Sequence, residues 1–438
     1  MRSPIRHTII VLLLVLSGCM NRSPDNTAIA TNTSNPVEAT DGTVPTLSVS
    51  PTRDTVSPTL TPSFTASPFP TSEAIPGRIL YSRGDGLSFI RSIHLMNADG
   101  SNQVSLIDHG YTSGAAWAPD GSKIALVGNY ESYLEDNVDL YILDVRDTKL
   151  TRIFHQPDSM INGLDWSPDG QYLALVLTPP DDTNGDIFII SADGSTQIQV
   201  TNTPDSDEGY FDWSPDGKQI VYTRENGDDE NIYVGNVDSD DFEPTQLTTT
   251  GGWNPIWSPD GSQIAFASNI GESDITGIHL MNADGSDIRL LIGDITRSPL
   301  PMATWDPALE DVPPPPSWFP DGSSMGHRWS PDGTRIAFRS YGYFLGSGYS
   351  YPYSRLALYV INADGTGLTN LSAPGDMMSF DWSPDGNWIA FTSHQETPYD
   401  MEAAGDIYLI HPDGTGLTRI TDTPDETELN VLWQPDPH

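Results

Sequence analysis

The chain has 438 residues, with 60 acidic and 20 basic side chains and a formal net charge of −40. A surface of this sign repels nucleic acid and anionic lipid, so we expect neither to be a partner. It suits cations or basic partners, although many of the acids belong to turns. The presence of one cysteine in the whole chain excludes a disulfide framework.

The first 18 residues are predicted to be a secretory signal. Two arginines precede an apolar run from Ile9 to Leu16, and small residues follow. Such a run is too short to span a membrane. The text LSGC, which ends at Cys19, is similar to the lipobox of bacterial lipoproteins. We therefore expect a lipid on Cys19 to be the only membrane anchor, on the extracytoplasmic side of the cell envelope.

Residues 19–76 are predicted to form a disordered tether. They are rich in Ser, Thr and Pro and contain few large apolar side chains. A segment of this composition buries too little apolar surface to fold, and its frequent prolines keep it extended. The tether is expected to hold the following domain away from the bilayer.

Seven tryptophans, each followed by a Pro-Asp turn, mark an internal repeat. The text is WAPDG once, WSPDG five times and WQPDP once, at Trp117, Trp166, Trp213, Trp257, Trp329, Trp382 and Trp433. The gap from Trp257 to Trp329 is 72 residues, and the other gaps are 44 to 53 residues. A period of this length, with strand-like text between the tryptophans, predicts a β-propeller.

Each repeat divides into four strand-like pieces. Asp-Gly pairs follow the first and third pieces of most repeats, and this dipeptide supplies the positive φ that tight hairpins need. In a four-stranded meander, the first-to-second and third-to-fourth turns share one rim. The sequence therefore predicts short uniform turns on one rim and the irregular loops on the other.

The two ends of the repeat region complement each other. Residues 78–107 contain three strand-like pieces without a tryptophan strand, whereas the Trp433 strand has no further pieces after it. We expect these parts to join as one blade, so that residues 77–438 form one all-β domain, a seven-bladed propeller with 3+1 strand closure. The long gap is predicted to be an insertion near residues 293–328.

The motifs WSPDG, IAF, DIYLIHPDG and TRIT resemble those of the TolB-type β-propellers, a WD-repeat-like family of bacterial envelopes. The resemblance covers nearly all of residues 77–438 and implies the propeller fold. TolB itself carries an α/β domain before its propeller, whereas a lipid anchor and a tether are predicted at that place here. The resemblance therefore does not imply a role in the Tol–Pal system.

Aromatic residues concentrate in two of the predicted irregular loops. They are Trp305 and Trp318 in the insertion, and Tyr341, Tyr343, Phe344, Tyr349, Tyr351 and Tyr353 in the next loop. Tyr and Trp offer stiff, amphipathic contact area, which makes this set a candidate binding site for protein or glycan. The alternative is that the aromatic residues pack the two loops against each other.

Two acidic loops, DDTNGD and ENGDDEN, are candidate calcium sites. The candidate ligands are Asp181, Asp182, Asp186, Asp228 and Asp229. Neither loop fits the spacing of an EF-hand, and solvated loops are the alternative. We expect no cofactor other than this calcium.

Catalytic motifs are scarce, because the chain has no G-x-S-x-G, H-x-H or HExxH sequence. His109, His155, His327 and His394 fall in connections or at strand ends, and the oligogalacturonate lyases, a PDG-type propeller family, gather His ligands for a metal on one face. We predict a non-enzymatic platform that binds an envelope or extracellular protein or a glycan. The alternative is a metal-assisted polysaccharide lyase or hydrolase that uses the loop-rich face.

Overall fold

A computed structural model of the protein describes residues 75, 77–84, 91–108, 110–130, 139–180, 182, 184–227, 229–237, 242–269, 277–293, 326–344, 353–371, 377–394, 405–423 and 426–436. The regular elements within these ranges are β-strands. The same ranges contain no helix with the length and apolar character needed to cross a membrane. Cys19 and the predicted tether lie outside the described residues.

The strands form seven four-stranded antiparallel sheets, which we name blades 1–7. Blade 1 contains β1 (Arg78–Gly84), β2 (Ser92–Asn97) and β3 (Val104–Ile107). Blade 2 contains β4 (Tyr111–Trp117), β5 (Lys123–Asn129), β6 (Asp139–Asp144) and β7 (Leu150–Phe154). Blade 3 contains β8 (Met160–Trp166), β9 (Tyr172–Thr178), β10 (Asp186–Ser191) and β11 (Gln197–Gln199).

The remaining blades repeat this plan. Blade 4 contains β12 (Asp207–Trp213), β13 (Gln219–Asn226), β14 (Asp229–Asn236) and β15 (Thr245–Gln246). Blade 5 contains β16 (Trp253–Trp257), β17 (Gln263–Ser268), β18 (Gly277–Asn282) and β19 (Arg289–Ile292). Blade 6 contains β20 (His327–Trp329), β21 (Arg335–Phe344), β22 (Tyr353–Asn362) and β23 (Thr369–Asn370). Blade 7 contains β24 (Met377–Trp382), β25 (Ile389–His394), β26 (Gly405–Ile410) and β27 (Thr418–Arg419).

The last strand of the chain, β28 (Thr427–Trp433), completes blade 1. It pairs antiparallel with β1, from Gly84 opposite Thr427 to Ile79 opposite Trp433. Within this pair the Arg83 guanidinium donates to the buried carboxylate of Glu428 at 3.0 Å. The predicted seven-bladed fold with 3+1 closure is confirmed.

Within the described ranges the core consists of seven apolar clusters, and each cluster lies between two consecutive blades. The repeated tryptophan ends the innermost strand of its blade and packs into the cluster shared with the preceding blade. In three blades its indole N–H reaches a carbonyl of the preceding innermost strand, for example from Trp166 to Ala116 at 3.1 Å. The tryptophan therefore recurs because it joins one blade to the next.

We name the rim that carries the Asp-Gly turns the turn rim. These turns lie at residues 99–100, 120–121, 169–170, 193–194, 216–217, 260–261, 284–285, 332–333, 364–365, 385–386 and 413–414. In the turn after Trp166, the Asp169 carboxylate accepts the Ser167 hydroxyl at 2.6 Å and the Gln171 N–H at 3.0 Å. Gly170 has a φ of 69°, and a Cβ at this position would touch the Pro119 ring of blade 2 at 3.6 Å.

The turns of neighbouring blades pack against each other around the whole turn rim. In the outer part, Gly194 of blade 3 has a φ of 73° and approaches β7 of blade 2 so closely that a Cβ would lie 2.5 Å from the Ile153 carbonyl oxygen. Near the axis, Gln434 follows the closing strand and donates to the Gly121 carbonyl at 2.6 Å. The rim is therefore a closed ring of interlocking turns.

The opposite rim, which we name the loop-rich rim, carries the second-to-third loops and the connections between blades. The hairpin of β21 and β22 lies there, with ten residues in each strand. The sequence placed Tyr341, Tyr343, Phe344 and Tyr353 in a loop, but they belong to these paired strands, and Phe344 is opposite Tyr353. The aromatic text favours extended structure, so the hairpin is longer than its neighbours.

Candidate functional site

The first strand of each blade is its innermost strand, because first strands of consecutive blades contact one another, for example β4 with β8 and β24 with β28. We name the axis that these strands surround the channel. Three of these strands leave a large apolar side chain exposed: Met160 at 56%, Tyr210 at 46% and Met378 at 43%. We name these three side chains the collar. They come from blades 3, 4 and 7, and their strands begin at the loop-rich rim.

A backbone irregularity recurs three positions before the tryptophan in four innermost strands. The residues are left-handed, with φ of 61° at Gly163, 31° at Tyr210, 51° at Asn254 and 55° at Asn430. The strand register shifts at the same places, which is the signature of a β-bulge. Gly and Asn tolerate this conformation, whereas a bulky tyrosine is strained there. Strain of this kind is a hint of function at Tyr210.

Four polar side chains sit at the position directly before the tryptophan. They are Asp165, Asp212, Arg328 and Asp381, which we name the axial layer. Ala116, Ile256 and Leu432 hold this position in the other three blades.

Backbone amides hold the carboxylates in place. Asp212 accepts the N–H of Trp257 at 2.6 Å, and Asp381 accepts the N–H of Trp433 at 2.7 Å. Each of these bonds crosses to the next blade. Asp165 accepts the N–H of its own neighbour, Trp166, at 2.9 Å.

Burial makes this layer electrostatically unusual. The three aspartates are half-buried. Desolvation by the surrounding protein raises the pKa of Asp165 to about 6. Desolvation and the neighbouring Asp165 raise the pKa of Asp212 to about 8. Desolvation also raises the pKa of Asp381. Arg328 opposes all three shifts, and its guanidinium lies 3.9 Å from Asp381.

The family model for the TolB beta propeller domain matches residues 74–299 of the chain. The chain belongs to this family. No curated protein matches the chain in sequence.

Solved structures also resemble this TolB-family propeller. The β-propeller domain of the trilobed protease from Pyrococcus furiosus has a TM-score of 0.51 at 13% identity, over 79% of this chain and 95% of that one. An oligogalacturonate lyase in complex with manganese has a TM-score of 0.50 at 14% identity, over 75% and 84%. TolB from Acinetobacter baumannii has a TM-score of 0.47 at 15% identity, over 82% and 67%. At these identities the likeness concerns the fold alone.

The aromatic binding site predicted from the sequence is only partly within the described ranges. Trp305, Trp318, Tyr349 and Tyr351 lie outside them. The other four residues lie at the end of the blade 6 hairpin, on the loop-rich rim. The aromatic site remains a prediction.

The predicted calcium ligands divide in the same way. Asp186 accepts the Thr201 hydroxyl at 3.1 Å and the Gln199 amide at 3.0 Å, so its oxygens join strands of blade 3. Asp182 accepts the N–H of Asn184 at 3.2 Å, and Asp229 begins β14. Asp181 and Asp228 lie outside the described ranges. Within those ranges, no three His, Cys, Asp or Glu side chains gather as metal ligands, and the calcium site stays a prediction.

The histidines lie in different parts of the ring. His155 of blade 2 pairs with the buried Asp139 at 2.6 Å, His327 is buried in blade 6, and His394 ends β25 of blade 7. His109 lies outside the described ranges. His155, His327 and His394 therefore belong to three different blades.

Sequence reasoning missed the collar and the axial layer. A local signal for the carboxylates was present, because three repeats read Asp-Trp before the Pro-Asp turn: LDW, FDW and FDW. No comparable signal marks Tyr210, whose conformation depends on the bulge.

Proposed function

We propose that the protein is a non-enzymatic binding platform of the bacterial cell envelope, attached to a membrane by a lipid on Cys19. A protein partner docks at the loop-rich mouth of the channel. The observation that carries the proposal is the collar, three large apolar side chains exposed on the innermost strands. Aromatic and methionine side chains are enriched where proteins bind each other.

The aromatic residues of the blade 6 hairpin extend this binding face. The hairpin ends on the loop-rich rim, so a partner at the channel mouth is expected to meet it. We include Trp305, Trp318, Tyr349 and Tyr351 in the same face on the basis of their positions in the chain next to blade 6. Irregular segments on a rigid scaffold are the usual place for binding functions.

The test compares two triple variants of the full chain in capturing a partner from envelope extract. The collar variant carries Met160→Gln, Tyr210→Asn and Met378→Gln. The control carries Val104→Thr, Ile198→Thr and Leu290→Gln, which alter comparably exposed apolar side chains on the outermost strands β3, β11 and β19.

We expect the collar variant to lose at least about ten-fold in affinity for the captured protein, because exposed anchor residues can each contribute roughly 2 kcal/mol to binding. The control variant should bind as the parent does, and both variants should keep the melting temperature of the parent. Equal capture by both variants would overturn the proposal. Capture that survives proteolysis of the extract would instead identify a glycan.

The anchor has its own test, because Cys19→Ser removes the site of lipidation. We expect this variant to leave the membrane fraction, since the proposed lipid is the only anchor. Retention of the variant on membranes would contradict the anchor without affecting the binding face.

The metal-assisted lyase or hydrolase has no observation in its favour within the described ranges. The likeness to an oligogalacturonate lyase concerns the fold, and His155, His327 and His394 lie in separate blades. We therefore propose no second function.

A further inference from the structure

We propose that a cavity on the turn rim, between blades 6 and 7, binds a small free α-amino acid, with Arg335 on its carboxylate and Asp413 on its ammonium group. The cavity is separate from the channel mouth, so this inference goes beyond the proposed function and does not depend on it. It follows from a cavity lining that carries one fixed charge of each sign.

The cavity has a volume of about 320 Å³. Blade 6 contributes Arg335, at the start of β21, and blade 7 contributes Asn387 and residues 411–413 and 415 from its two turns. Clefts that hold small molecules measure roughly 300 to 1,000 Å³, so this cavity suits a ligand at the small end of that range.

Arg335 supplies the positive charge of the cavity. Its guanidinium lies over the buried Trp382 ring, 5.3 Å from the ring centre, and Nη2 donates to the Gly386 carbonyl at 3.2 Å. Among the described residues, no carboxylate lies within ion-pair distance of this guanidinium. Its position is therefore fixed, while other N–H donors remain for a planar carboxylate, which a guanidinium binds through two parallel hydrogen bonds.

The repeat itself does not explain this arginine. Arg335 follows the Asp-Gly turn of its blade by two residues. In blades 2, 3, 4, 5 and 7 the equivalent residues are Lys123, Tyr172, Gln219, Gln263 and Trp388. Blade 6 is thus the one of these six blades that places a guanidinium at this position.

Asp413 supplies the negative charge. Its Oδ1 accepts the N–H of Thr415 at 2.9 Å and the Thr415 hydroxyl at 2.6 Å. These hydrogen bonds from Thr415 hold the pKa of Asp413 below its ordinary value, so the carboxyl is ionised at neutral pH. In the part of the chain that the structure describes, Oδ2 has no partner, so it can accept an ammonium N–H while Oδ1 keeps the turn.

The turn of blade 7 that carries Asp413 departs from the repeat. Blades 1, 5 and 6 read Asn-Ala-Asp-Gly there, whereas blade 7 reads His-Pro-Asp-Gly, with His411 and Pro412 before Asp413. Since a carbonyl oxygen only accepts, His411 Nδ1 donates to the Asn387 carbonyl at 2.8 Å, and the ring packs on Trp388 with 3.6 Å between ring centres. The imidazole and the proline ring give the cavity a stiff wall against which a small side chain can pack.

The charges of the chain and of the cavity select a zwitterion. A net charge of −40 repels a free anion, and Arg335 repels a free cation at close range. An α-amino acid has no net charge at neutral pH, yet it carries a carboxylate and an ammonium group on the same carbon atom. Arg335 and Asp413 form no ion pair with each other, so a ligand of this kind pairs both.

The experiment uses L-alanine, L-lactate and L-alaninamide as probes of nearly equal size. Lactate has a hydroxyl in place of the ammonium group, and alaninamide has a neutral amide in place of the carboxylate. Titration calorimetry measures the affinity of the full chain for each probe. We expect alanine to bind about ten-fold more tightly than either analogue, because hydrogen bonds between charged groups are stronger than those to neutral groups.

Two variants of the full chain separate the roles of the two charges. Arg335→Gln should remove the preference for alanine over alaninamide and keep the preference over lactate, while Gln can still donate to the Gly386 carbonyl. Asp413→Asn should do the reverse, while Asn can still accept the Thr415 N–H. Partial unfolding would weaken all three probes alike, so it cannot imitate two opposite changes of preference.

Lys123→Gln and Asp284→Asn are the matched controls, because they change the equivalent positions of blades 2 and 5. Both should bind alanine as the parent does. The inference is overturned if alanine does not bind, if lactate binds as tightly as alanine, if either site variant weakens all three probes equally, or if the controls lose as much affinity as the site variants. None of these results bears on the collar, whose test is the capture of a protein partner.

Discussion

The turn rim and the channel mouth are built from the same repeat, but the repeated residues recur more regularly on the turn rim than at the channel mouth. On the turn rim, the Pro-Asp-Gly text recurs and each turn packs against its neighbour, as Gly170 packs on Pro119. At the channel mouth, equivalent positions hold different residues, for example glycine, tyrosine and asparagine at the left-handed bulge. The repeated sequence determines the closed ring of blades. The positions where the repeat is broken determine which side chains this propeller exposes at the channel mouth.

Loss of the closing strand should have the largest effect. Truncation after Glu426 removes β28, so the innermost strand of blade 1 and its tryptophan contacts with blade 7 disappear. The edge of β1 that pairs with β28 becomes exposed. We expect aggregation, or the loss of a cooperative transition in calorimetry. A truncated chain that melts as the parent does would mean that the regular ring does not depend on its closure.

Gly194→Ala should be the next most damaging change, because it both strains the backbone and introduces a steric clash on the turn rim. The φ of 73° strains an alanine, and its Cβ would lie 2.5 Å from the Ile153 carbonyl oxygen. We expect a loss of about 2–4 kcal/mol in the free energy of unfolding.

Gly227→Ala provides the matched control for that change. Gly227 has a φ of 66°, but a Cβ there meets nothing within 4 Å. Its cost should be only about 1 kcal/mol, from the backbone conformation alone. Equal losses in denaturant unfolding would show that the turns of neighbouring blades are not tightly packed.

Asp212→Asn should make the stability of the protein less dependent on pH. The folded pKa of about 8 exceeds the unfolded value of about 3.9, so the native state binds the additional proton between these values. Asp212 therefore destabilises the fold progressively as the pH rises through that window. At pH 9 the variant should exceed the parent by at least about 1 kcal/mol, and at pH 4 the difference should vanish.

Asp205→Asn is the control for the change in net charge, because Asp205 lies in an exposed turn. It should follow the parent at each pH. Thermal unfolding across the window measures all three proteins. If the difference in stability between Asp212→Asn and the parent were the same at every pH, Asp212 would not bind an additional proton in the native state.

The sequence predicts the parts of the molecule that depend on local repetition. Tryptophan and Pro-Asp-Gly mark the end of each innermost strand, and the unmatched Trp433 strand predicts the closure that β28 makes with β1. The axial layer was not predicted, because Asp165 and Arg328 approach the axis from blades far apart in the chain. Nor does any local text show that Tyr210 has a positive φ, since the register shift in β12 creates it.

The blade 6 hairpin was predicted from the sequence only in part. Its aromatic residues were recognised as a candidate binding site, but they were assigned to a loop. Gly and Ser interrupt the aromatic text between Ser340 and Ser354, and these residues are typical of loops. The aromatic residues favour extended structure, and the pairing of β21 with β22 adds to that preference, so that Tyr341 is opposite Leu356 in spite of Gly and Ser.

Tyr210→Asn tests most directly whether the exposed tyrosine at the left-handed bulge of the channel mouth binds the partner. Asn occupies the equivalent left-handed position at Asn254 and Asn430, so this change relieves the strain of the tyrosine while removing an exposed aromatic side chain. The measurement is the dissociation constant for the captured partner, together with the melting temperature of the same protein. We expect binding to weaken about ten-fold or more while the melting temperature stays equal or rises. Unchanged binding with a lower melting temperature would contradict the account, because Tyr210 would then serve packing alone.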